Sequence, residues 1–334
     1  MTVFRLYGML GSPYTMKMRA ILRYRRIEHL RVPAVGGMPP IADIKPPVIP
    51  VVEFPDGSFH VDSTPTIDKL EALESARSVV PEDPALAFVA YLLEDFADEW
   101  LTKLMFHYRW AYADDAQSFA TQGAYELLGS ERGDEVAMFA EMFRQRQMGR
   151  MDMVGCGEAN RGLLEATFEE IARLYDEHLR TDTYLFGSRP SRADFALYGQ
   201  FSQMVDDPTP AAWLACNTPV FYRWVLMTAD LSGLEGTWTD ADAPLSPLAL
   251  GLLRLCDEVY APFLSANAAA LADGSPRLSV ELRGQTYEQP PYKYQAKCLR
   301  LLREGYGSLD ESVRARVDGL LGSLDALLSL LRST

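Results

Sequence analysis

Apolar positions along the chain follow a period of two in short runs near the N-terminus and a helical period afterwards. Val3 to Tyr7 is a β-prone run, Gly8-Met9-Leu10-Gly11 interrupts it, and Ser12-Pro13 opens a segment of good helix formers reaching Tyr24. Ser is a favoured helix cap and Pro is favoured at the first helical position, so the helix is expected to start at Ser12. Leu30 to Pro33 reads as a second strand and Gly36 to Pro47 as a Gly/Pro-rich loop. Val48 to Phe54 reads as a third strand, Pro55 to Ser58 as a turn and Phe59 to Val61 as a fourth strand. Asp62-Ser63-Thr64-Pro65 then starts a helix carrying Ile67, Leu70 and Leu73. The expected order is βαβ followed by ββα.

Past Val80-Pro81-Glu82-Asp83-Pro84 the pattern becomes helical, and a domain boundary is expected there. From Leu86 to Tyr112 apolar residues recur at Val89, Leu92, Leu93, Phe96, Trp100, Leu104 and Tyr108, the spacing of one long, partly buried helix. Further helical stretches run from Asp115 to Gly157, with a Met- and Arg-rich piece at Met142 to Met153, and from Leu163 to Leu179. Ser191 and Asp194 are spaced as a capping box, with Asp in place of the commoner Glu. The last ninety residues or so read as two helices, Leu248 to Phe263 and Glu311 to Leu331, around an extended piece at Arg277 to Leu282. Three segments are therefore expected: an α/β domain over residues 1–80, an all-helical domain over 85–240, and a mostly helical C-terminal extension over 241–334.

Composition narrows the function. Of 334 residues, 48% are apolar and 23% charged, as in a globular protein. The formal net charge of −14 argues against nucleic acid as a partner, because that affinity rests on Lys and Arg neutralising phosphates. The N-terminus lacks the sections of a signal peptide, and no apolar run approaches the roughly 20 residues of a membrane span. A cytoplasmic protein without a membrane partner is expected. Cys156, Cys216, Cys256 and Cys298 form no C-x-x-C pair, so neither a zinc site nor a disulfide framework is indicated.

Leu6-Tyr7, Ser12-Pro13-Tyr14-Thr15-Met16-Lys17-Met18-Arg19, Ile49-Pro50-Val51, Asp62-Ser63 and Ser191-x-x-Asp194, in that order, resemble the motifs of the glutathione transferase superfamily. The Ser-Pro-aromatic start of the first helix is similar to the tau class, and Leu6 to Arg19 aligns with the zeta class without gaps. The resemblance implies a thioredoxin-like N-terminal domain, a helical domain of the glutathione transferase type with a helical extension, glutathione as co-substrate, no metal, and a homodimer. The stretch from Asp115 to Gly157 and the tail after Asp240 depart from the compact family pattern.

Enzymes of this superfamily ionise the bound thiol, since the thiolate is the nucleophile. The resemblance puts the activating hydroxyl at Ser12, where the positive end of a helix assists it. Tyr7, inside the strand, and Tyr14 are competing hydroxyls. Relatives with Cys at this position exchange disulfides, but the first 155 residues contain no Cys, so a cysteine-type reductase is disfavoured. Ile49-Pro50 matches the cis-proline step whose preceding backbone binds the cysteinyl part of glutathione. Ser63 is suited to the γ-glutamyl carboxylate, Asp62 to the amino group and Lys45 to the glycyl carboxylate. Ser191 and Asp194 match the buried cap of the helical domain, a folding element. His107, Tyr108, Arg109 and Trp110, with Tyr14, are candidates to line a pocket for an electrophile, although consecutive helical residues point in different directions, so at most one or two face any site. Met142, Met148, Met151 and Met153 with Arg144, Arg146 and Arg150 are a second candidate wall. Two readings compete: an enzyme that activates glutathione toward a hydrophobic electrophile, and a non-catalytic binding protein built on the same fold.

Overall fold

The computed structural model describes residues 3–129 and 133–333. Met1 and Thr2, at the edge of the expected first strand, and residues 130–132, inside the Asp115 to Gly157 stretch, lie outside the described residues. The chain divides into two compact units: Met1–Val79, Tyr108–Met148 and Phe195–Glu235 form one, and Val80–His107, Gly149–Asp194 and Gly236–Thr334 form the other.

The first unit contains a four-stranded sheet in the order β2-β1-β3-β4, made of β1 (Phe4–Tyr7), β2 (His29–Val32), β3 (Val51–Glu53) and β4 (Phe59–Val61). β1 and β2 are parallel, joined by α1 (Pro13–Tyr24), and β3 and β4 run antiparallel to their neighbours. With α2 (Ser63–Leu73) this is the thioredoxin-like arrangement. Leu6, Val51 and Val52 are buried at the centre of the sheet. Tyr7, Ala34, Ile41 and Val51 form an apolar cluster onto which Ile49 and Val61 pack, so the Gly/Pro-rich loop is anchored from below by Ile41. β3 begins three residues later than the apolar run suggests, because Pro50 has no N–H to give the ladder and the Val48 N–H bonds instead to the Pro46 carbonyl.

Helices make up most of the remainder: α3 (Pro84–Phe96), α4 (Thr102–Ala111), α5 (Ala113–Leu128), α6 (Gly133–Met148), α7 (Met151–Val154), α8 (Arg161–His178), α9 (Arg192–Met204), α10 (Pro208–Asn217), α11 (Pro219–Thr228), α12 (Pro247–Leu255), α13 (Ala261–Asp273), α14 (Lys293–Gly307), α15 (Glu311–Leu321) and α16 (Asp325–Arg332). A π-helical turn, Ala97–Leu101, links α3 to α4. Phe96, Trp100, Leu104 and Tyr108 repeat every four residues, which at 3.6 residues per turn drifts about 40° per step. The wider π turn reverses that drift and keeps all four buried. A second π turn, Cys256–Tyr260, joins α12 to α13. Among the described residues no helix is long and apolar enough to cross a membrane.

The C-terminal region departs from the sequence expectation in three ways. The extended piece is half of a hairpin, β5 (Leu278–Leu282) with β6 (Gln285–Gln289), turned by Arg283 and Gly284, both at positive φ. α14 was not expected. The helix expected over Glu311 to Leu331 is two helices, because Gly322 at φ 57° ends α15.

Unit two also holds a carboxyl group at an energetic disadvantage. Burial, with Asp98 and Glu94 nearby, pushes Asp95 up to about 7 despite the bond it accepts from the Tyr260 hydroxyl at 2.6 Å. A folded-state pKa above the unfolded value contributes stability at low pH and loses it as pH rises through the folded value. Asp95→Asn is therefore expected to raise the melting temperature most at about pH 8 and to change it little only below about pH 4, measured by thermal unfolding across that range.

Candidate functional site

Strand register assembles the candidate site. Tyr7 pairs with Val51, and Val51 pairs with Val61. One end of the sheet thus carries the loop from Gly8 to Ser12, the Ile49-Pro50 step ahead of β3, and Asp62-Ser63 after β4. The Ile49–Pro50 peptide is cis.

Ser12 caps α1 in an extended conformation (φ −105°, ψ 120°), with Pro13 at the first helical position. Its Oγ accepts from the Thr15 N–H at 3.3 Å, and among the described residues this is the hydroxyl's one hydrogen bond. The Ser12 O–H therefore remains available as a donor at the positive end of a twelve-residue helix. Tyr7 differs: its O–H donates to Glu53 Oε2 at 2.6 Å, and burial and that carboxylate push its pKa up. Tyr14 lies one residue into α1 and is half-buried.

Ser63 is buried at the start of α2, and its Oγ accepts from the Lys17 ammonium of α1 at 3.3 Å. Asp62 precedes it at φ 72°, an uncommon conformation for a non-glycine residue. Its side chain makes no capping bond to α2, while its carbonyl accepts from the Thr66 hydroxyl at 2.6 Å. Lys45 is exposed in the loop before β3.

His107, Tyr108, Arg109 and Trp110 are all buried, so packing engages the whole cluster. The His107 ring bonds Glu165 at 2.9 Å, and Tyr108 stacks on Tyr112. Trp110 meets Phe119 and Phe143 edge-on. Arg109 forms a buried ion pair with Asp207, and its Nη1 donates to the Gly11 carbonyl, both at 2.9 Å. Met142, Met148 and Met153 are exposed, and Arg144 pairs with Glu141 at 2.8 Å.

Sequence reading missed what holds the loop ahead of Ser12. The Leu10 N–H donates to both carboxylate oxygens of Glu126 at 3.0 Å, and the Leu10 carbonyl accepts from Gln203 Nε2 at 3.0 Å. These partners stand 116 and 193 positions away in sequence, beyond the reach of local spacing. The loop glycines are close-approach residues: a Cβ at Gly8 would lie 2.3 Å from Thr15 Oγ1, and one at Gly11 would lie 2.3 Å from the Phe119 ring. Trp110 and Phe143 pack against that ring and Arg109 covers its face, so it has little room to move. Gly11→Ala is expected to cost about 1–3 kcal/mol by overpacking, read as a lower midpoint in denaturant unfolding.

Cys156 is buried with its thiol pushed up to about 12, and burial raises Cys256 as well. Neither is poised as a thiolate at neutral pH.

A thioredoxin-like sheet with a serine-capped first helix and a cis-proline step, followed by a helical region, is a fold of the glutathione transferase type. The family model described as glutathione S-transferase, N-terminal domain, matches residues 6–78, the α/β domain. Solved structures similar to the chain include a glutathione S-transferase from Methylobacterium radiotolerans in complex with glutathione sulfonate, 18% identical, covering 73% of this chain and 100% of that one with a TM-score of 0.44. A tau class glutathione S-transferase from mango is 16% identical, covering 70% of this chain and 93% of that one with a TM-score of 0.42. A beta-etherase from Sphingobium is 19% identical, covering 67% and 93% with a TM-score of 0.45. No curated protein matches the chain.

Proposed function

We propose that this protein is a serine-type glutathione transferase, in which Ser12 donates a hydrogen bond to the glutathione sulfur and holds it as a thiolate for attack on a hydrophobic electrophile. The observation that carries the reading is the Ser12 O–H, without an acceptor among the described residues, at the N-terminus of α1 and at the sheet end where Ile49-Pro50 and Ser63 also lie. The backbone beside Pro50 would meet the cysteinyl part of the tripeptide. Ser63, backed by the Lys17 ammonium, would take the γ-glutamyl carboxylate, Asp62 the amino group, and Lys45 the glycyl carboxylate. Residues 1–80 would be the glutathione-binding domain, 85–240 the helical domain and 241–334 an extension, in a cytoplasmic homodimer. Tyr14, half-buried beside Ser12, is the side chain we place nearest the electrophile.

The energetic demand is small. A free thiol titrates near 8.5, so ionisation at pH 7 requires a shift of about one to two units, worth about 1.4–2.7 kcal/mol. One hydrogen bond to the charged sulfur plus a helix N-terminus supplies that amount. Retention on immobilised glutathione, followed by a conjugation assay with chlorodinitrobenzene, tests the reading. Binding with turnover supports it, binding without turnover supports the non-catalytic alternative, and no binding removes both.

A further inference from the structure

We propose that Arg109, Gln203 and Glu126 are positioning residues that set the Ser12 hydroxyl by gripping the two residues ahead of it. The proposal rests on the assignment of Ser12 made above. Three of the four backbone groups of Leu10 and Gly11 each receive one side chain: the Leu10 N–H binds Glu126, the Leu10 carbonyl binds Gln203, and the Gly11 carbonyl binds Arg109. These side chains come from α5, α9 and α4. The next backbone group, the Ser12 N–H, closes a turn onto the Met9 carbonyl at 3.1 Å.

The grip is itself rigidly built. Arg109, Gln203 and Asp207 are each 2% exposed. Asp207 takes the Arg109 Nε–H through both oxygens, at 2.9 and 3.2 Å, and Gln203 Oε1 takes Nη2 at 2.9 Å. The guanidinium plane rests 3.6 Å from the centroid of the Phe119 ring, the same ring that Gly11 abuts. Glu126 is tied by Arg31, which also donates to the Gly8 carbonyl at 3.3 Å.

Burying an Arg–Asp pair carries a desolvation cost that the attraction only partly offsets, so general stability is a poor explanation for it. Its geometry explains it better. A planar guanidinium reaches Asp207, Gln203 and Gly11 at once in fixed directions, which an ammonium on a flexible stem cannot do. The loop has a turn bond of its own, from the Ser12 N–H to the Met9 carbonyl, and the three side chains hold the two residues inside that turn. A hydroxyl that must donate to one sulfur atom needs its Cα held to a fraction of an ångström, and an error of about 1 Å costs a large share of the rate.

The experiment uses the full chain carrying Arg109→Lys or Glu126→Ala, each alone and combined with Ser12→Ala. Thermal unfolding reports folding, calorimetry reports glutathione affinity, and ultraviolet absorbance of the thiolate reports the pKa of bound glutathione. Each single variant is expected to raise that pKa toward the free value and lower the conjugation rate about threefold to tenfold near pH 7, with glutathione affinity changed by no more than a few-fold. In the Ser12→Ala background the same substitutions should add less than about twofold, because their effect passes through the absent hydroxyl. Should Arg109→Lys fail to fold, Glu126→Ala, half-buried at the loop's other side, carries the test. An unmoved thiol pKa, a loss confined to affinity, or a full multiplicative loss in the Ser12→Ala background would each overturn the proposal. A neutral Ser12→Ala overturns the serine assignment first, a result distinguishable from failure of the grip alone.

Discussion

Ser12→Ala is expected to slow glutathione conjugation about tenfold at pH 7, and the deficit should close as pH rises past the free thiol value. With an unshifted pKa near 8.5 only a few per cent of the thiol is ionised at pH 7, against roughly half when the pKa is near 7. That ratio exceeds ten, and the greater intrinsic nucleophilicity of a more basic thiolate returns part of it. The sign of the pH dependence is diagnostic. A lowered thiol pKa gives an advantage between about 7 and 8.5 and none above, so wild type and variant should converge near pH 9. Stability should change little, because a lost N-cap costs about 0.5–2 kcal/mol and Pro13 still pre-sets the first turn of α1. Glutathione affinity should hold within a few-fold if Ser63 and the Pro50 backbone carry most of the binding.

The largest loss of stability is expected from Asp194→Ala. The Asp194 carboxylate is fully buried and accepts from the Ser191 N–H at 2.8 Å, the Ser191 hydroxyl at 2.6 Å and the Leu185 N–H at 3.0 Å. Removing it orphans three buried donors at the start of α9, each worth about 1–3 kcal/mol when unsatisfied, and a combined loss of about 3–5 kcal/mol follows after relaxation. Burial pushes the carboxyl up to about 6, although all three bonds pull it down. A raised folded-state pKa means that the stability this group adds is greatest below about pH 4 and is lost as pH climbs through about 6. Asp194→Asn keeps an acceptor without the charge and should recover part of the loss, most visibly above pH 6, in denaturant midpoints of the three proteins.

The α/β domain was legible because its signals are local. Ser12-Pro13 marks a helix start by cap chemistry, Pro55 to Ser58 is turn composition, and Phe59 to Val61 alternates between two fixed ends. The order of motifs then supplied Pro50 and Ser63, and strand register gathers them with Ser12 at one sheet end. Long-range chemistry was not legible. Glu126, Gln203 and Asp207 carry no local sign of their attachment to the Leu10-Gly11 backbone or to Arg109. The cluster His107 to Trp110 combines unusual chemistry in sequence, yet its polar groups are buried in ion pairs and hydrogen bonds that only the folded chain reveals. In the extension, Arg283-Gly284 is an uncommon hairpin turn because Arg seldom adopts positive φ, which hid β6. The break at Gly322 was masked by leucines that keep helical spacing across it.

The role of Ser12 turns on one property of one atom, the ionisation of glutathione sulfur in the complex. Titrating bound glutathione by thiolate absorbance, in the wild-type protein and in Ser12→Ala, measures it without any electrophile. A pKa one to two units below the free value of about 8.5 in the wild type, returning toward that value in the variant, is the predicted result. Bound glutathione that titrates like the free thiol, or a lowered pKa that Ser12→Ala leaves in place, would contradict it.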